Sequence, residues 1–355
     1  MSSDNHKSLP LFVLLLCTVS TGFAQNQPIE LTAQVGIPFR FAFFGDTRFT
    51  NPADTRDSNA TVRRTLVQAI ADARPAFVSV GGDIVYHGDD ANDWKTWDAE
   101  TAIWHEHGIA VYPVLGNHDL SGGKLALNNY FQRFPELKNN RYYAVRAANA
   151  LLLVLDSSMA ELSGPQGEWL VRKLDNIPSE VEFVFVLLHH PPYTSSSDER
   201  MYGGGHSARS EEQELGKMLE KRQQTTVARF VVLSGHVHNY ERHVHNGVTY
   251  FVSGGGGAHA YRIARSPGDL FPDNNINYHF LLVEIEHGKL NVTMNRLQLK
   301  NGKAGWTKPD MAKDISCSYT ARHSRTRKLK RVFGSVTRRC QPRLVTQDTL
   351  LRIGR

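Results

Sequence analysis

The chain has 355 residues, of which 41% are hydrophobic and 21% are charged, and its formal net charge is +6. This composition excludes a disordered chain, because a disordered chain contains too few apolar residues to form a core. The length suffices for one large domain or for two smaller ones.

The first 24 residues have the pattern of a cleaved signal peptide. Lys7 precedes an apolar run over residues 9–19, which is too short to span a bilayer. Small residues end at Ala24, so we expect cleavage after Ala24 and export of the mature protein, either secreted or periplasmic. A lipoprotein anchored through Cys17 is an alternative, but the residue before this cysteine is bulky where a small one is expected. No later apolar run is long enough to span a membrane.

Positive charge is concentrated at the C-terminal end of the chain. Residues 300–355 contain 15 Lys or Arg and 3 Asp, a balance of +12, whereas the rest contains 26 basic and 32 acidic residues, a balance of −6. We predict that residues 300–355 form a basic tail that is disordered or loosely attached, because its apolar residues lack periodicity. The charge of the tail suits contact with anionic surfaces, but a dispensable extension would have the same composition.

Cysteines are absent between Cys17 and Cys317. Cys17 leaves with the signal peptide, so the fold of the central part does not depend on disulfides. Cys317 and Cys340 both lie in the tail, where they could pair in an oxidising compartment.

The first 120 residues predict a parallel sheet with crossover helices. Apolar runs that read as strands alternate with segments of helical periodicity, the strands at residues 38–44, 76–80 and 111–115 and the helices at residues 61–73 and 91–107. Alternation of this kind gives parallel strands joined by right-handed crossovers.

The second half of the chain continues the same pattern up to about residue 299. We predict strands at residues 141–145, 151–155, 183–188, 230–233 and 248–252, helices at residues 167–174 and 211–221, and a closing hairpin of residues 280–285 and 290–294. The chain contains no internal repeat and no linker before the tail. It therefore predicts a single α/β domain over residues 36–299.

Side chains that could bind metal follow directly after several of these strands. They are Asp46, Asp83 with Tyr86, Asn117, His189, and His236 with His238. Because ligands of open α/β sheets bind beyond the carboxyl ends of strands, we expect these side chains to meet. Any one of them could be an ordinary polar turn, but a whole series at strand ends is hard to explain as turns. Carboxylates, imidazoles and an amide without a thiolate suit iron, manganese or zinc, and an Asp able to bridge suggests two ions about 3.5–4 Å apart.

In their order along the chain, these motifs resemble those of the calcineurin-like metallophosphoesterases. The motifs are Gly45-Asp46, Gly82-Asp83-Ile84-Val85-Tyr86, Gly116-Asn117-His118-Asp119, His189-x-Pro191-x-Tyr193 and Gly235-His236-Val237-His238. Tyr86 and the continuation to Arg242 resemble the purple acid phosphatase branch in particular. The resemblance covers residues 38–296. It implies an α/β sandwich of two mixed β-sheets flanked by helices, with a dinuclear metal site at the C-terminal ends of the strands.

The resemblance also implies how the ligands are divided between two metal ions. One ion would be held by Asp46, Tyr86 and His238, the other by Asn117, His189 and His236, and Asp83 would bridge them. A phenolate ligand favours Fe(III), so the expected pair is Fe(III) with Fe(II), Zn or Mn.

Arg48 and three histidines are candidates for contacting the substrate. Arg48 stands where many family members have a His, and it could bind the substrate phosphate or only form a salt bridge. His118 could contact the phosphate or donate a proton to the leaving alkoxide, or it could support Asp119. His190 and His206 are further candidates for contacting the phosphate or donating the proton.

The function implied by the resemblance is that of an exported phosphomonoesterase that attacks its substrate with a metal-bound hydroxide. A phosphodiesterase or nucleotide hydrolase on the same scaffold is the alternative within this chemistry. The alternative from another class is a non-catalytic protein that binds a polyanion through its basic tail. We expect a phosphoester as the substrate, no obligate nucleic-acid partner and no transmembrane segment, and the sequence leaves the oligomeric state open.

Overall fold

Two mixed β-sheets form the framework of the molecule. The computed structural model describes residues 28–197, 206–313 and 315. Within these residues the strands are β1 (Glu30–Ala33), β2 (Phe39–Phe44), β3 (Phe77–Val80), β4 (Ala110–Pro113), β5 (Tyr143–Ala147), β6 (Ala150–Val154), β7 (Phe183–Leu187), β8 (Arg229–Ser234), β9 (Tyr240–His245), β10 (Val248–Ser253), β11 (Tyr278–Glu286), β12 (Lys289–Lys300), β13 (Lys303–Thr307) and β14 (Met311–Ala312). The helices are α1 (Ala60–Asp72), α2 (Ala91–Glu106), α3 (Lys124–Arg133), α4 (Gly164–Asp175) and α5 (Ser210–Gln223), and a short 3₁₀ helix spans Pro135–Leu137.

Each sheet contains a parallel part and an antiparallel part. The strand order is β1-β5-β6-β7-β8-β10-β9 in the first sheet and β13-β12-β11-β2-β3-β4 in the second, with β14 paired to β12. Strands β2, β3 and β4 are parallel, as the strand–helix alternation predicts. Strands β6, β7, β8 and β10 are parallel as well. Because parallel strands point the same way, their carboxyl ends meet at one edge of the sheet.

Apolar side chains from both sheets form the core between them. Phe41 of β2 stacks on Phe77 of β3 with ring centroids 4.9 Å apart, and it meets Phe185 of β7 edge-on at 5.2 Å. The second contact joins the two sheets, since β2 and β7 belong to different sheets. On the outer faces, Trp104 of α2 packs against Phe44 of β2, and α4 and α5 pack in a separate apolar cluster. The predicted sandwich of two mixed sheets flanked by helices is confirmed.

The short or polar elements β1, β9 and α3 were not predicted from the sequence. Strand β9 pairs antiparallel with β10 at the edge of the first sheet. It contains Glu241 and Arg242, residues that strands usually lack, and both are part of ion pairs with other side chains. Tertiary pairing of its charges, rather than its composition, therefore allows this segment to be a strand.

The second sheet continues beyond the domain boundary that the sequence predicts at residue 300. Strand β13 pairs antiparallel with β12, and β14 pairs with β12 as well. After β13, Asp310 accepts hydrogen bonds from Nε of Arg242 at 2.7 Å and from the hydroxyl of Tyr240 at 2.7 Å. The predicted start of the tail is therefore too early. Strand β13 is an exposed edge strand that lacks an apolar run, so it has no strand signal in the sequence.

Other predictions concern residues that the structure does not describe. The signal peptide at residues 1–24, the three cysteines and the tail from residue 316 onward lie outside the described part of the chain. Among the helices that are described, none has both the length and the apolar composition needed to cross a membrane.

Candidate metal centre

The turns after β2, β3 and β8 have unusual backbone conformations. Asp46, Asp83 and His236 have φ angles of 57°, 51° and 69°, in the left-handed region that residues other than Gly rarely adopt. Such residues cost about 1–3 kcal/mol each and persist only where the surrounding structure holds them. The chain also approaches itself closely here, since a Cβ on Gly82 would lie 2.5 Å from Nδ1 of His189. These turns bring polar side chains from both sheets to one place.

Asp46, Asp83 and His238 form the first group of donors, and all three are buried. Nε2 of His238 lies 3.6 Å from Oδ1 of Asp46. Among the described residues, neither of these two buried atoms has a hydrogen-bond partner. A buried polar atom without a partner is costly, so the pair indicates a ligand other than the chain itself.

Asn117, His189 and His236 form the second group of donors. Nε2 of His189 lies 3.2 Å from Oδ1 of Asn117 and 3.2 Å from Nδ1 of His236. Oδ1 of Asp83 lies 3.4 Å from the same nitrogen of His189. Asp83 therefore belongs to both groups, because it also lies within 4.8 Å of the other donors of the first group.

Backbone carbonyls determine which nitrogen of two histidines faces the site. Nδ1 of His189 lies 2.9 Å from the carbonyl oxygen of Gly81, and Nδ1 of His238 lies 2.8 Å from that of His259. Because a carbonyl oxygen only accepts, each Nδ1 carries the proton and each Nε2 presents a lone pair. Burial lowers the pKa of both imidazoles, so both are neutral, which is the state that binds metal.

The two carboxylates of the first group repel each other. Burial and the charge of Asp83 raise the pKa of Asp46 well above its ordinary value. Burial also opposes ionisation of Asp83, but the charge of Arg48 and a hydrogen bond from the backbone N–H of His118 hold its pKa below the usual range. A cation relieves such repulsion, and oxygen and nitrogen donors without a thiolate suit Fe, Mn or Zn. The residues present therefore fit two metal ions, one in each group, with Asp83 shared.

Tyr86 packs beside His118 and Arg48, two residues that face Asp83. Its ring stacks on that of His118 with centroids 5.2 Å apart, and the Arg48 guanidinium lies 5.8 Å from the ring centroid. The pKa of Asp57 is below its ordinary value, chiefly because Arg56 hydrogen-bonds to it and also because Tyr86 does. Binding of a metal ion by Tyr86 would require its hydroxyl to lose the proton.

Arg48 and His118 both face Asp83. Nη2 of Arg48 lies 3.4 Å from Oδ2 of Asp83, and Nε2 of His118 lies 3.9 Å from the same oxygen. Nδ1 of His118 lies 2.7 Å from the carbonyl oxygen of Tyr86, which leaves Nε2 as the nitrogen that can exchange a proton at the site. The side chain of His118 is 23% exposed, so the ring remains open to a substrate.

His190 and His206 both contact His236. The ring centroids of His190 and His236 are 4.3 Å apart, and Nδ1 of His206 lies 3.1 Å from Nε2 of His236. Nδ1 of His190 lies 2.7 Å from Oγ of Ser157, and burial lowers the pKa of His190 to about 2. Proton donation, one of the roles predicted for His190, does not fit an imidazole that is neutral at physiological pH. His206 therefore contacts Nε2 of His236, whereas Nδ1 of His236 faces His189.

Glu241, His243 and Asp269 form a further cluster of metal-binding residue types, outside the two donor groups. Nε2 of His243 lies 3.1 Å from Oε2 of Glu241, and Oδ2 of Asp269 accepts from Nη1 of Arg265 at 2.8 Å. Oε1 of Glu241 accepts from Oγ1 of Thr194 at 2.6 Å. Because protein groups already pair with these side chains, the cluster is structural and ties β9 to the loop that contains Thr194.

The groups that hold the predicted metal ligands in place are hard to identify from the sequence. Asp119 accepts from the backbone N–H of Ile84 at 2.8 Å and from that of Gly116 at 2.9 Å, so it locks the turns after β3 and β4 together. Its place at the end of the Gly116 motif is the one hint in the sequence. Ser157 and the carbonyl groups that orient the histidines give no such hint, because every residue carries a carbonyl.

Comparisons with known proteins agree with this site. The profile of the calcineurin-like phosphoesterase family matches residues 39–240. Purple acid phosphatase 1 of Ipomoea batatas is 26% identical over 226 residues, which make up 58% of this chain and 43% of that protein. The Fe(3+)-Zn(2+) purple acid phosphatase 12 of Arabidopsis thaliana is 25% identical over 229 residues, or 58% of this chain and 44% of that protein.

The solved structure of purple acid phosphatase PPD1 from yellow lupin (Lupinus luteus) seeds has the same fold. It superposes with a TM-score of 0.58 and 17% identity over 82% of this chain and 58% of that chain. The chain spans less than half the length of the two curated relatives. The family profile, however, covers more than half of this chain and includes all the predicted metal ligands. The resemblance inferred from the motifs is therefore confirmed, and the chain belongs to the calcineurin-like phosphoesterase family, with purple acid phosphatases among its relatives.

Proposed function

We propose that this protein is a metal-dependent hydrolase of phosphomonoesters. The observation that carries the proposal is the meeting of two donor groups at Asp83. In the first group, Oδ1 of Asp46 and Nε2 of His238 have no hydrogen-bond partner among the described residues. Such a set of donors suits two cations held side by side. The named relatives are phosphatases, which favours a phosphomonoester over a diester or a nucleotide.

Two bound cations would polarise the phosphoryl group and lower the pKa of a water molecule, so that hydroxide is available near neutral pH. The chain would hold them through seven side chains: Asp46, Tyr86 and His238 for one ion, Asn117, His189 and His236 for the other, and Asp83 for both. His118 would hold a proton at Nε2 for the leaving oxygen, since its Nδ1 is already bonded to a carbonyl. The Fe(3+)-Zn(2+) pair of the Arabidopsis relative supports Fe(III) with Zn as the pair, with Fe(II) or Mn as substitutes for Zn.

Metal analysis of the purified protein combined with a substrate panel tests this proposal. We expect about two metal equivalents, loss of hydrolysis after chelation, and recovery when metal is returned. The panel should contain an aryl phosphate, a bis-aryl phosphate and a nucleotide, each measured at several pH values. Faster turnover of the diester or the nucleotide would assign the protein to that alternative. A protein without bound metal and without hydrolysis, but with affinity for heparin, would instead be a polyanion-binding protein.

We also propose that the protein is exported. The support is the sequence of the leader, with Lys7 before the apolar run at residues 9–19 and a cleavage site after Ala24. N-terminal sequencing of the protein recovered from the periplasm or the medium should then begin at Gln25. A chain that keeps residue 1 and stays in the cytoplasm would contradict export, and a lipid on Cys17 would show that the leader is that of a lipoprotein.

A further inference from the structure

Arg48 is held in a strained position that the proposed reaction does not by itself explain. Its φ angle is 42°, and its side chain is 14% exposed. The N–H of Arg48 donates to the carbonyl of Asp83 at 2.9 Å, and its own carbonyl accepts from Nη1 of Arg63 at 3.3 Å. Arg63 is itself buried and paired with Glu100. Arg48 is therefore anchored on both sides of its backbone, with its side chain in the interior of the site.

The guanidinium of Arg48 acts on the donors of the first group. Nη2 lies 3.4 Å from Oδ2 of Asp83. Nε of Arg48 is buried and has no hydrogen-bond partner among the described residues. The contact with Asp83 therefore orients a guanidinium that is otherwise loosely engaged.

We infer that Arg48 competes with the metal ion of the first group for Oδ2 of Asp83 and thereby discriminates between ions of different charge. This inference rests on the proposed function, because it takes the two donor groups to be metal sites. A guanidinium and a metal ion are both cations, so each weakens the hold of the same carboxylate on the other. The repulsion is proportional to the charge of the ion, so it weakens the binding of a trivalent ion more than that of a divalent one and opposes the preference for Fe(III) that a Tyr86 phenolate would provide. Arg48 is accordingly a specificity-determining residue for the metal.

Removal of the charge at Arg48 should therefore tighten metal binding. Arg48→Gln keeps hydrogen-bonding capacity but loses the positive charge, and Arg48→Lys keeps the charge without the planar fork. Arg74→Gln is a matched control, because Arg74 is also an arginine with a left-handed backbone, φ 48°, but it is exposed at the end of α1. Circular dichroism of all variants checks that they remain folded.

The experiment is a competition titration of the full chain after chelation, with Zn(II) and with Ga(III) supplied as citrate. For Arg48→Gln we expect the first equivalent of Zn(II) to bind at least about tenfold more tightly than in the unaltered protein. The logarithm of the gain for Ga(III) should be about 1.5 times the logarithm of the gain for Zn(II), as the ratio of the charges requires. Arg48→Lys and Arg74→Gln should both stay close to the unaltered protein.

Two outcomes would overturn the inference. The first is equal or weaker metal binding by Arg48→Gln, and the second is the same gain for both ions. Equal metal binding together with weaker inhibition by inorganic phosphate would assign Arg48 to the substrate anion instead. Failure of the proposed function would be distinguished from both, because the unaltered protein itself would then bind no metal and hydrolyse no ester.

Discussion

Nε2 of His238 and Oδ1 of Asp46 lie 3.6 Å apart, both buried, and neither has a hydrogen-bond partner among the described residues. The chain brings them together from opposite sheets, since Asp46 follows β2 and His238 follows β8. A carbonyl fixes the proton of His238 on the other nitrogen, so that Nε2 offers a lone pair. The pair is thus preorganised as two donors for one cation.

Asp83 is the residue whose loss should affect both metal groups. Asp83→Asn removes the shared negative charge, so we expect lower metal content and a fall in turnover of roughly a thousandfold or more, corresponding to several kcal/mol of lost charge stabilisation. Elemental analysis and kinetics on an aryl phosphate measure the two effects. Asp98→Asn, at an exposed position, is the control and should change neither. Two full metal equivalents with near-normal turnover in Asp83→Asn would rule out the dinuclear arrangement.

Tyr86 provides a spectroscopic test of the Fe(III) assignment. A phenolate bound to Fe(III) absorbs visible light through charge transfer, so an iron-loaded sample should be coloured and Tyr86→Phe should bleach it. Phe keeps the ring that stacks on His118, so packing should change little. Tyr142→Phe, whose ring packs against Trp169, is the matched control and should keep the colour. Colour that survives Tyr86→Phe would mean that the hydroxyl of Tyr86 does not bind iron.

Strands β13 and β14 belong to the second sheet, so a truncation that removes them should destabilise the fold. Truncation before Lys303 removes both strands and also Asp310, which pairs with Arg242. We expect it to lower the free energy of unfolding by about 2 kcal/mol, because the partly buried guanidinium of Arg242 is left without its carboxylate and two strands are lost. Thermal or denaturant unfolding measures this change. An unfolding curve that matches that of the full chain would show that β13 and β14 contribute nothing to stability.

Truncation after Ile315 should have a different effect. Residues 316–355 contain 11 Lys or Arg and 1 Asp, so their removal should weaken binding to heparin and reduce its salt dependence. Stability and hydrolysis of a small ester should stay unchanged. If the shortened protein keeps its affinity for heparin, the tail is not the polyanion contact.

Glu161 should make stability depend on pH. Its side chain is 1% exposed, and burial raises its pKa to about 7 from an ordinary value of 4.5. The folded protein then keeps a proton that the unfolded chain releases, so the free energy of unfolding falls as the pH rises from 4.5 to about 7. Glu161→Gln cannot ionise, so it should be more stable than the unaltered protein at pH 8, by at most about 3 kcal/mol, and equal to it at pH 4.

Urea unfolding at several pH values checks the effect of Glu161. Glu168→Gln is the control, because Glu168 is exposed and should show no such pH dependence. Equal stability of Glu161→Gln and the unaltered protein at pH 8 would mean that a neighbour such as Arg209 fully compensates the buried charge.

The sequence by itself determined the parallel strands β2, β3 and β4 and the residue types at their ends. Apolar periodicity is a local property, and the polar residues that interrupt it mark the point where each strand leaves the core. This is why Asp46, Asp83 and Asn117 could be identified as candidate ligands without coordinates. It is also why the family was recognised, since its motifs are short and local.

Only the tertiary structure decided how these residues are used. It stacked Tyr86 on His118, brought the guanidinium of Arg48 to Asp83 and brought His206 to His236. It also added the exposed strand β13 to the edge of the second sheet. Contacts of this kind depend on which distant segments approach one another, and on backbone groups that every residue carries. The order of residues along the chain determines the donors available at each strand end, whereas the packing of the two sheets determines which donors face each other.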